Sequence, residues 1–256
     1  MSNTTRNKVA LVTGGSRGLG KDMALNLAKN GLDVVVTYVQ NRAQAEETVK
    51  QIEGLGRRAM ALQLDAGKTS TFVAFAGQLQ DRLKKTWDTD KVDFLINNAG
   101  IPGNAPLAET GEELFDSLMN IHFKGVYFLT QALLPLLRDK GGIVNVSSGL
   151  ARFAIPGFSA YASMKGAVET YTRYLAKELG PRGIRANVVA PGAIATDFNK
   201  DALENHPEMR GFIASQTALG RMGEAEDIGG VVAFLCTDAA RWVNAQRLEA
   251  SGGMFL

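Results

Sequence analysis

Short apolar runs alternate with longer amphipathic segments along most of the chain, and this alternation limits the possible folds more than any other feature. The clearest runs, bounded by turn residues, lie at 9–12, 34–36, 94–96, 143–146 and 187–189, and a less regular one lies at 59–64. Helical segments lie between or after them, at 19–30, 42–55, 69–86, 112–139, 161–179 and 226–237. This order predicts an α/β fold with a doubly wound parallel sheet, whose ligand lies at the carboxyl ends of the strands.

The composition indicates one domain and sets limits on its partners. Hydrophobic residues make up 45% of the 256 residues without any shift in composition, so we expect residues 1–256 to form a single domain. A net charge of +2 gives no basic surface for nucleic acid or an anionic membrane. The first eight residues are polar, no apolar stretch is long enough for a membrane span, and there is one cysteine, Cys236. We therefore expect a cytoplasmic protein.

A cluster of glycines follows the first apolar run and joins it to the first predicted helix. Bare backbone N–H groups at a helix N-terminus bind phosphate. The candidate contacts for a dinucleotide pyrophosphate are Gly14, Ser16, Arg17, Gly18, Leu19 and Gly20. An ordinary glycine-rich turn is the structural alternative. A nucleoside triphosphatase loop is disfavoured, because Asp22 stands where Ser or Thr would bind Mg²⁺.

The end of the second predicted strand indicates which dinucleotide binds. A carboxylate about 20 residues past the glycines would bond the ribose 2′-hydroxyl of NAD. Here Tyr38 follows the strand, and no acidic residue appears before Glu46. Arg17 and Arg42 could instead hold a 2′-phosphate, which favours NADP(H) over NAD(H). As the alternative, Arg42 is a solvated residue at the start of a helix.

Tyr161 and Lys165 are four residues apart on a predicted helix and therefore share one face. A nearby ammonium would lower the pKa of a phenol, which could then exchange a proton with a carbonyl or an alcohol. The strand at 143–146 is followed by Ser147 and Ser148, of which one is expected to face the crevice. A surface Tyr/Lys pair and two capping serines are the structural alternatives.

Together these motifs resemble the short-chain dehydrogenase/reductase family, in its short single-domain form, over residues 9–255. The resemblance implies a Rossmann-like sheet with strand order 3-2-1-4-5-6-7, flanked by helices, and a homotetramer. The catalytic residues that it implies are Asn120, Ser148, Tyr161 and Lys165, with Ser148 placed 13 residues before Tyr161. The coenzyme contacts that it adds, besides Tyr161 and Lys165 themselves, are Asp65, Ala66, Asn98, Ala99, Gly100, Pro191, Gly192, Ile194 and Thr196.

The family's reaction would be the reversible, NADP(H)-dependent reduction of a ketone or a 3-oxoacyl carbonyl. By resemblance, hydride leaves the nicotinamide, Tyr161 protonates the oxygen and Ser148 orients the carbonyl. Lys165 contacts the nicotinamide ribose and lowers the pKa of Tyr161, while Asn120 supports a water that links Lys165 to solvent.

The substrate is expected to meet residues 149–158, which are mostly apolar apart from Arg152, and a lid at 196–223 that contains Pro207. The 3-oxoacyl-carrier-protein reductases are the most similar subgroup, and an acidic carrier would need basic residues beside the cleft. Candidates for such a docking patch are Arg138, Lys140 and Arg182, although solvated surface charges are the simpler interpretation.

Two other classes of function stay open. A non-catalytic dinucleotide-binding sensor or scaffold could use the same fold, although it would not need the four catalytic residues. A serine hydrolase would need a Gly-x-Ser-x-Gly elbow, and the sequence around Ser147 and Ser148 lacks the first glycine. With only His122 and His206 in the chain, we expect no metal site, and we interpret His122 as a packed or hydrogen-bonded residue.

Overall fold

Seven parallel strands form one sheet in the computed structural model, which describes residues 7–198, 204–205 and 208–256. In chain order they are β1 Val9–Val12, β2 Asp33–Tyr38, β3 Ala59–Gln63, β4 Val92–Asn97, β5 Leu137–Val146, β6 Arg185–Pro191 and β7 Arg247–Ala250. Their order in the sheet is β3-β2-β1-β4-β5-β6-β7, and each neighbouring pair is parallel. The predicted doubly wound sheet and its strand order are confirmed.

Helices cover both faces of this sheet. The α-helices of the described residues are α1 Gly18–Lys29, α2 Arg42–Gly54, α3 Phe72–Trp87, α4 Glu112–Met119, α5 Gly125–Leu133, α6 Ser159–Glu178, α7 Glu208–Ser215 and α8 Glu226–Leu235. Successive side chains of a strand point to opposite faces. Val9 and Leu11 of β1 therefore pack in one buried apolar cluster with residues of α3, α5 and α6, whereas Ala10 and Val12 pack in a second cluster with α1, α2 and α8.

The predicted helix at 112–139 is wrong in its last six residues. Between α4 and α5 the chain forms a π-helical turn, Asn120–Lys124, and α5 ends at Leu133. Pro135 lacks the N–H that would continue the helix. β5 begins at Leu137, and its pairing with β4 shifts register between Val92 and Phe94. Gly141, Gly142 and the charged residues before them conceal this early part of the strand in the sequence.

The predicted lid at 196–223 is described only in part, because residues 199–203 and 206–207, including Pro207, lie outside the described residues. Its described part contains α7, and a bridge between Ile194 and Gly223 joins the two ends of the segment. Its movement as a lid, and the single domain over 1–256, stay predictions. Among the residues that the structure describes, no helix is both long and apolar enough to cross a membrane.

Candidate active site

The glycine turn between β1 and α1 has the form that an anion site needs. Gly14 and Gly18 have φ angles of +65° and +52°, which side chains rarely adopt. A Cβ atom on Gly20 would lie 2.1 Å from the Gly14 carbonyl oxygen, so the turn closes only with glycine there. The first N–H groups of a helix have no partner within it, and the first turn of α1 holds no acidic residue. Backbone donors and a positive helix end therefore meet at this turn.

Hydrogen bonds from the segment that follows β4 stabilise the glycine turn. The Thr13 hydroxyl accepts hydrogen bonds from the backbone N–H groups of Asn98, at 2.9 Å, and Ala99, at 3.0 Å. The Asn98 side-chain amide donates to the Thr13 carbonyl oxygen at 2.9 Å. Asn98 and Ala99 therefore support the glycine turn through direct bonds.

Asp22 turns away from this site. Its Oδ2 accepts the backbone N–H of Gly229 in α8 at 2.9 Å, and burial raises the pKa of its carboxyl to about 6. The residue at the metal-ligand position of a triphosphatase loop therefore serves to join two helices, in agreement with the sequence-based argument against that loop.

The carboxyl end of β2 carries no carboxylate. Tyr38 ends that strand. Arg17 is the N-cap residue of α1 and Arg42 is the first residue of α2, and both side chains are exposed. Arg42 Nε donates to Glu46 at 2.7 Å, and Arg17 lies 3.7 Å from Asp197. Both arginine partners are solvent-exposed, so both guanidinium groups remain available to an anion.

The segment after β6 lies across the cleft from the glycine turn. Pro191 ends β6, and Gly192 and Ile194 lead to Thr196. A Cβ atom on Gly18 would lie 3.7 Å from the Cβ of Thr196. On the β3 side, Asp65 accepts the backbone N–H of Gly67 at 2.9 Å, and Ala66 lies between them. Gly100 follows Ala99 and contacts His122. The predicted coenzyme residues therefore line one end of the sheet.

Ser148, Tyr161 and Lys165 come together at the carboxyl end of β5. Tyr161 lies in the first turn of α6 and Lys165 in the next. The Ser148 hydroxyl lies beside the Tyr161 hydroxyl and lowers the pKa of the phenol. The Lys165 ammonium is buried, donates to the Val146 carbonyl oxygen at 2.8 Å and lies 5.5 Å from the centre of the Tyr161 ring.

Ser147 has a different environment. It is buried, and its hydroxyl donates to Glu169 at 2.7 Å; Arg247 in turn donates to Glu169 at 2.7 Å and to the Ser148 carbonyl oxygen at 3.2 Å. Only Ser148 faces the phenol, because successive residues point to opposite sides of extended backbone.

The pKa values at this site differ from the expectation. Burial raises the pKa of Tyr161 to about 12, and the bond to Ser148 only partly offsets that effect. Burial also lowers the pKa of Lys165 to about 8. Burial is the largest influence on the phenol, and the lowering of its pKa by Lys165 stays a prediction. Tyr161 is therefore a neutral phenol at pH 7 and can donate a proton.

Asn120 begins the π-helical turn, and its carbonyl oxygen accepts the backbone N–H of Gly125. Its side chain forms no hydrogen bond to another described residue. His122, two residues later, is buried against Tyr161, with ring centres 5.0 Å apart. His122 was not among the predicted site residues; the signals in the sequence were the rarity of histidine and the place of His122 two residues after Asn120.

Comparisons with known proteins identify the family. A family model described as enoyl-(acyl carrier protein) reductase matches residues 14–255. The 3-oxoacyl-[acyl-carrier-protein] reductase of Staphylococcus epidermidis is 35% identical over 98% of this chain and 100% of its own. The chain belongs to the short-chain dehydrogenase/reductase family.

Two solved structures of ketoreductases are also similar to this short-chain dehydrogenase/reductase. One is a promiscuous reductase for keto-reduction at C1 in lugdunomycin biosynthesis; its TM-score is 0.92 at 38% identity, covering 98% of this chain and 99% of that one. The other is the angucycline C-6 ketoreductase LanV with bound NADP, with a TM-score of 0.91 at 35% identity, covering 97% and 95%. The predicted family and coenzyme are confirmed, and this chain is an NADP(H)-dependent oxidoreductase that carries out carbonyl reduction.

The residues of this short-chain dehydrogenase/reductase fit NADP(H). The turn at Gly14–Gly20 is a cradle that Cβ atoms would fill, and the end of β2 offers arginines where NAD would need a carboxylate. When bound, the reduced coenzyme supplies a hydride. Among the described residues, no group of three His, Cys, Asp or Glu side chains could hold a metal ion.

The surroundings of the site are apolar and aromatic. Phe198 lies 6.3 Å from the Tyr161 ring, and Phe153 packs against Phe255 at 4.8 Å. Arg152, predicted to be a charge near the substrate, donates to Glu249 at 2.7 Å and to the Met254 and Phe255 carbonyl oxygens. Its charge is therefore neutralised by a structural ion pair.

The predicted carrier-protein docking patch is wrong in its location. Arg138 and Lys140 lie at the amino end of β5, whereas Ser148 follows its carboxyl end. Arg182 follows the end of α6, a helix of 20 residues that carries Tyr161 in its first turn, and it bonds Asp139 at 2.8 Å. A helix of that length separates its ends by roughly 30 Å, so these residues do not border the cleft.

Proposed function

We propose that this oxidoreductase reduces an apolar, ring-bearing ketone to a secondary alcohol with NADPH, reversibly, and that Tyr161 is its general acid. The observation that carries the proposal is the pair of neighbouring hydroxyl groups, Ser148 and Tyr161, at the coenzyme end of β5. Two hydroxyl groups next to each other can both reach one carbonyl oxygen.

In this mechanism Tyr161 gives its proton to the substrate oxygen as the carbonyl carbon is reduced. Ser148 donates a hydrogen bond to the same oxygen and stabilises the charge that develops there. The raised pKa of Tyr161 keeps the phenol protonated at neutral pH, which is the form that reduction requires. Lys165 is the residue that would contact the nicotinamide ribose, and Asn120 stays a prediction for the proton path.

The substrate class follows from the walls of the site. Phe198 offers aromatic surface beside Tyr161, Phe153 follows β5 and packs on Phe255, and Arg152 is already paired. Such walls favour a neutral ring system over a charged substrate. The ketoreductases of angucycline and lugdunomycin biosynthesis, whose folds are so similar, support the same class. A 3-oxoacyl substrate on a carrier protein has less support, since its proposed docking residues lie elsewhere.

We predict that Tyr161→Phe lowers kcat by about 10²- to 10⁴-fold, the usual contribution of a general acid, because only the proton donor is lost. The Kd for NADPH, measured by fluorescence titration, should stay unchanged. Turnover is followed by the loss of NADPH absorbance with a panel of aryl and polycyclic ketones.

Tyr174→Phe is the matched control, since Tyr174 is an exposed tyrosine of the same helix and should keep full activity. Activity retained by Tyr161→Phe would refute the assignment. Tight NADPH binding without turnover of any ketone would favour the sensor or scaffold, and ester hydrolysis would favour a serine hydrolase.

A further inference from the structure

His122 is a polar residue buried at the centre of the candidate site. It is 1% exposed and is the third residue of the π-helical turn Asn120–Lys124. π-Helical turns interrupt regular helices most often at functional sites. A buried imidazole needs hydrogen-bond partners, and those partners determine where its proton lies.

One ring nitrogen of His122 is anchored to the segment after β4. Its Nε2 lies 2.9 Å from the carbonyl oxygen of Ile101, to which it would donate, and 3.3 Å from the Ile101 backbone N–H, from which it would accept in the other tautomer. A carbonyl oxygen can only accept, so the shorter contact requires a proton on Nε2. Gly100 leaves room for the ring, since a Cβ there would lie 2.7 Å from His122 Cε1.

The other nitrogen is bare in this arrangement. Nδ1 is buried and has no hydrogen-bond partner among the described residues. Burial, together with the positive charge of Lys165, lowers the pKa of the imidazole to about 3. A neutral ring with its proton on Nε2 therefore agrees with the shorter of the two Ile101 contacts and with the charges.

The imidazole ring of His122 also packs against the phenol ring of Tyr161. The two ring centres are 5.0 Å apart and the planes cross at 81°, an edge-to-face contact. The Lys165 ammonium lies 5.5 Å from the centre of the phenol ring, and the Ser148 hydroxyl lies beside the Tyr161 hydroxyl. His122 thus connects a fixed backbone point, Ile101, to the residue whose hydroxyl must meet the substrate.

We propose that His122 is a positioning residue for carbonyl reduction: its neutral imidazole, anchored through Nε2–H to the Ile101 carbonyl, fixes the Tyr161 phenol beside Ser148. The inference rests on the proposed function and adds a residue to it. The Asn120 side chain, by contrast, has no such bond within the described residues.

Two substitutions separate the anchor from the ring. His122→Phe keeps an aromatic ring but loses the donor, whereas His122→Gln places an amide N–H at the same distance along the side chain as Nε2. We expect His122→Phe to lower kcat by roughly 10- to 100-fold, the cost of a misplaced reacting group, and to shift the pH midpoint of kcat. His122→Gln keeps the donor but loses the ring that contacts Tyr161, so its loss of kcat should be smaller than that of His122→Phe, and both variants should keep the Kd for NADPH.

The comparison of kcat and of the Kd for NADPH in the two variants distinguishes a loss of positioning from a loss of folding. A kcat within about twofold of the parent enzyme in His122→Phe, less than the loss expected of misplacement, would overturn it. Equal losses in both variants, or losses that follow a weaker Kd for NADPH, would also overturn it, because the anchor would then have no separate effect.

A measurement on the unsubstituted protein keeps the proposal testable if a variant does not fold. Nitrogen NMR of the imidazoles, with His206→Gln to assign the two histidines of the chain, should show His122 as the neutral Nε2–H tautomer from pH 5 to 8. Titration in that range, or a proton on Nδ1, would refute the anchor. Since NMR needs no turnover, failure of this inference is distinguishable from failure of the proposed function.

Discussion

At the scale of single residues, coenzyme choice depends on what stands at the end of β2. Tyr38 replaces the carboxylate that an NAD enzyme needs, and two arginines approach from the neighbouring helix starts. Each arginine has an acidic partner, Asp197 for Arg17 and Glu46 for Arg42, but exposed ion pairs of this kind contribute little. A 2′-phosphate with two guanidinium groups forms stronger, charge-assisted bonds and would displace those partners.

We predict that the double variant Arg17→Ala, Arg42→Ala has a lower preference for NADPH. The value of kcat/KM for NADPH divided by that for NADH should fall by roughly 10- to 100-fold, because charge-assisted bonds to the 2′-phosphate are lost. Lys50→Ala, which removes an exposed charge from the same helix as Arg42, is the control and should leave the ratio unchanged. An unaltered ratio in the double variant would mean that other residues bind the 2′-phosphate.

At the scale of elements, the packing of α1 on α8 fixes the helix whose N-terminus faces the coenzyme. Met23 and Leu27 of α1 share a buried cluster with Ile228 and Val232 of α8. At the centre of this contact, the Gly229 N–H donates to Asp22, and a Cβ on Gly229 would lie 2.0 Å from that carboxylate oxygen. The two helices therefore approach closely only because residue 229 has no side chain.

We predict that Gly229→Ala lowers the free energy of unfolding by about 1–3 kcal/mol, because the added methyl group forces the two helices apart. Gly230→Ala is a matched control one residue away: a Cβ there meets nothing within 4 Å, so improved helix propensity should raise stability by about 0.5–1 kcal/mol. Urea unfolding of both variants tests the pair. Equal stability of Gly229→Ala and the parent protein would contradict the tight contact.

At the scale of the whole molecule, several large apolar side chains remain exposed. On α5, Tyr127 and Phe128 are exposed and their rings are in contact, and Tyr174 of α6 is 63% exposed. Trp242 is 96% exposed, and Phe234 of α8 is 40% exposed. Exposed apolar surface often marks an interface. These side chains agree with the predicted homotetramer, which stays a prediction.

We predict that light scattering gives the mass of four chains. Tyr174→Glu and Trp242→Glu should each reduce that mass, because a charge would be buried in an interface. Val73→Glu, which changes an 80% exposed side chain of α3, is the control and should leave the mass unchanged. A monomeric mass for the unsubstituted protein would overturn the prediction.

Local patterns were sufficient for the main features of this protein. The alternation of apolar runs and helical segments predicted the parallel sheet, because strands buried on both faces need continuous apolar sequence. Motif spacing predicted the family and the coenzyme, because the small size of glycine and the positive charge of arginine do not depend on the tertiary structure. Prediction failed at residues 134–139, where Pro135 ends α5 and β5 begins before its apolar stretch.

The tertiary structure alone decided how the site residues are arranged. Which serine meets Tyr161, where the Lys165 ammonium bonds, and that His122 joins Ile101 to the phenol all depend on segments far apart in sequence. The same applies to Arg138, Lys140 and Arg182, whose distance from the cleft follows from strand direction and helix length. Burial and hydrogen bonding set the pKa values of Tyr161 and Lys165, and both are properties of packing that residue spacing does not contain.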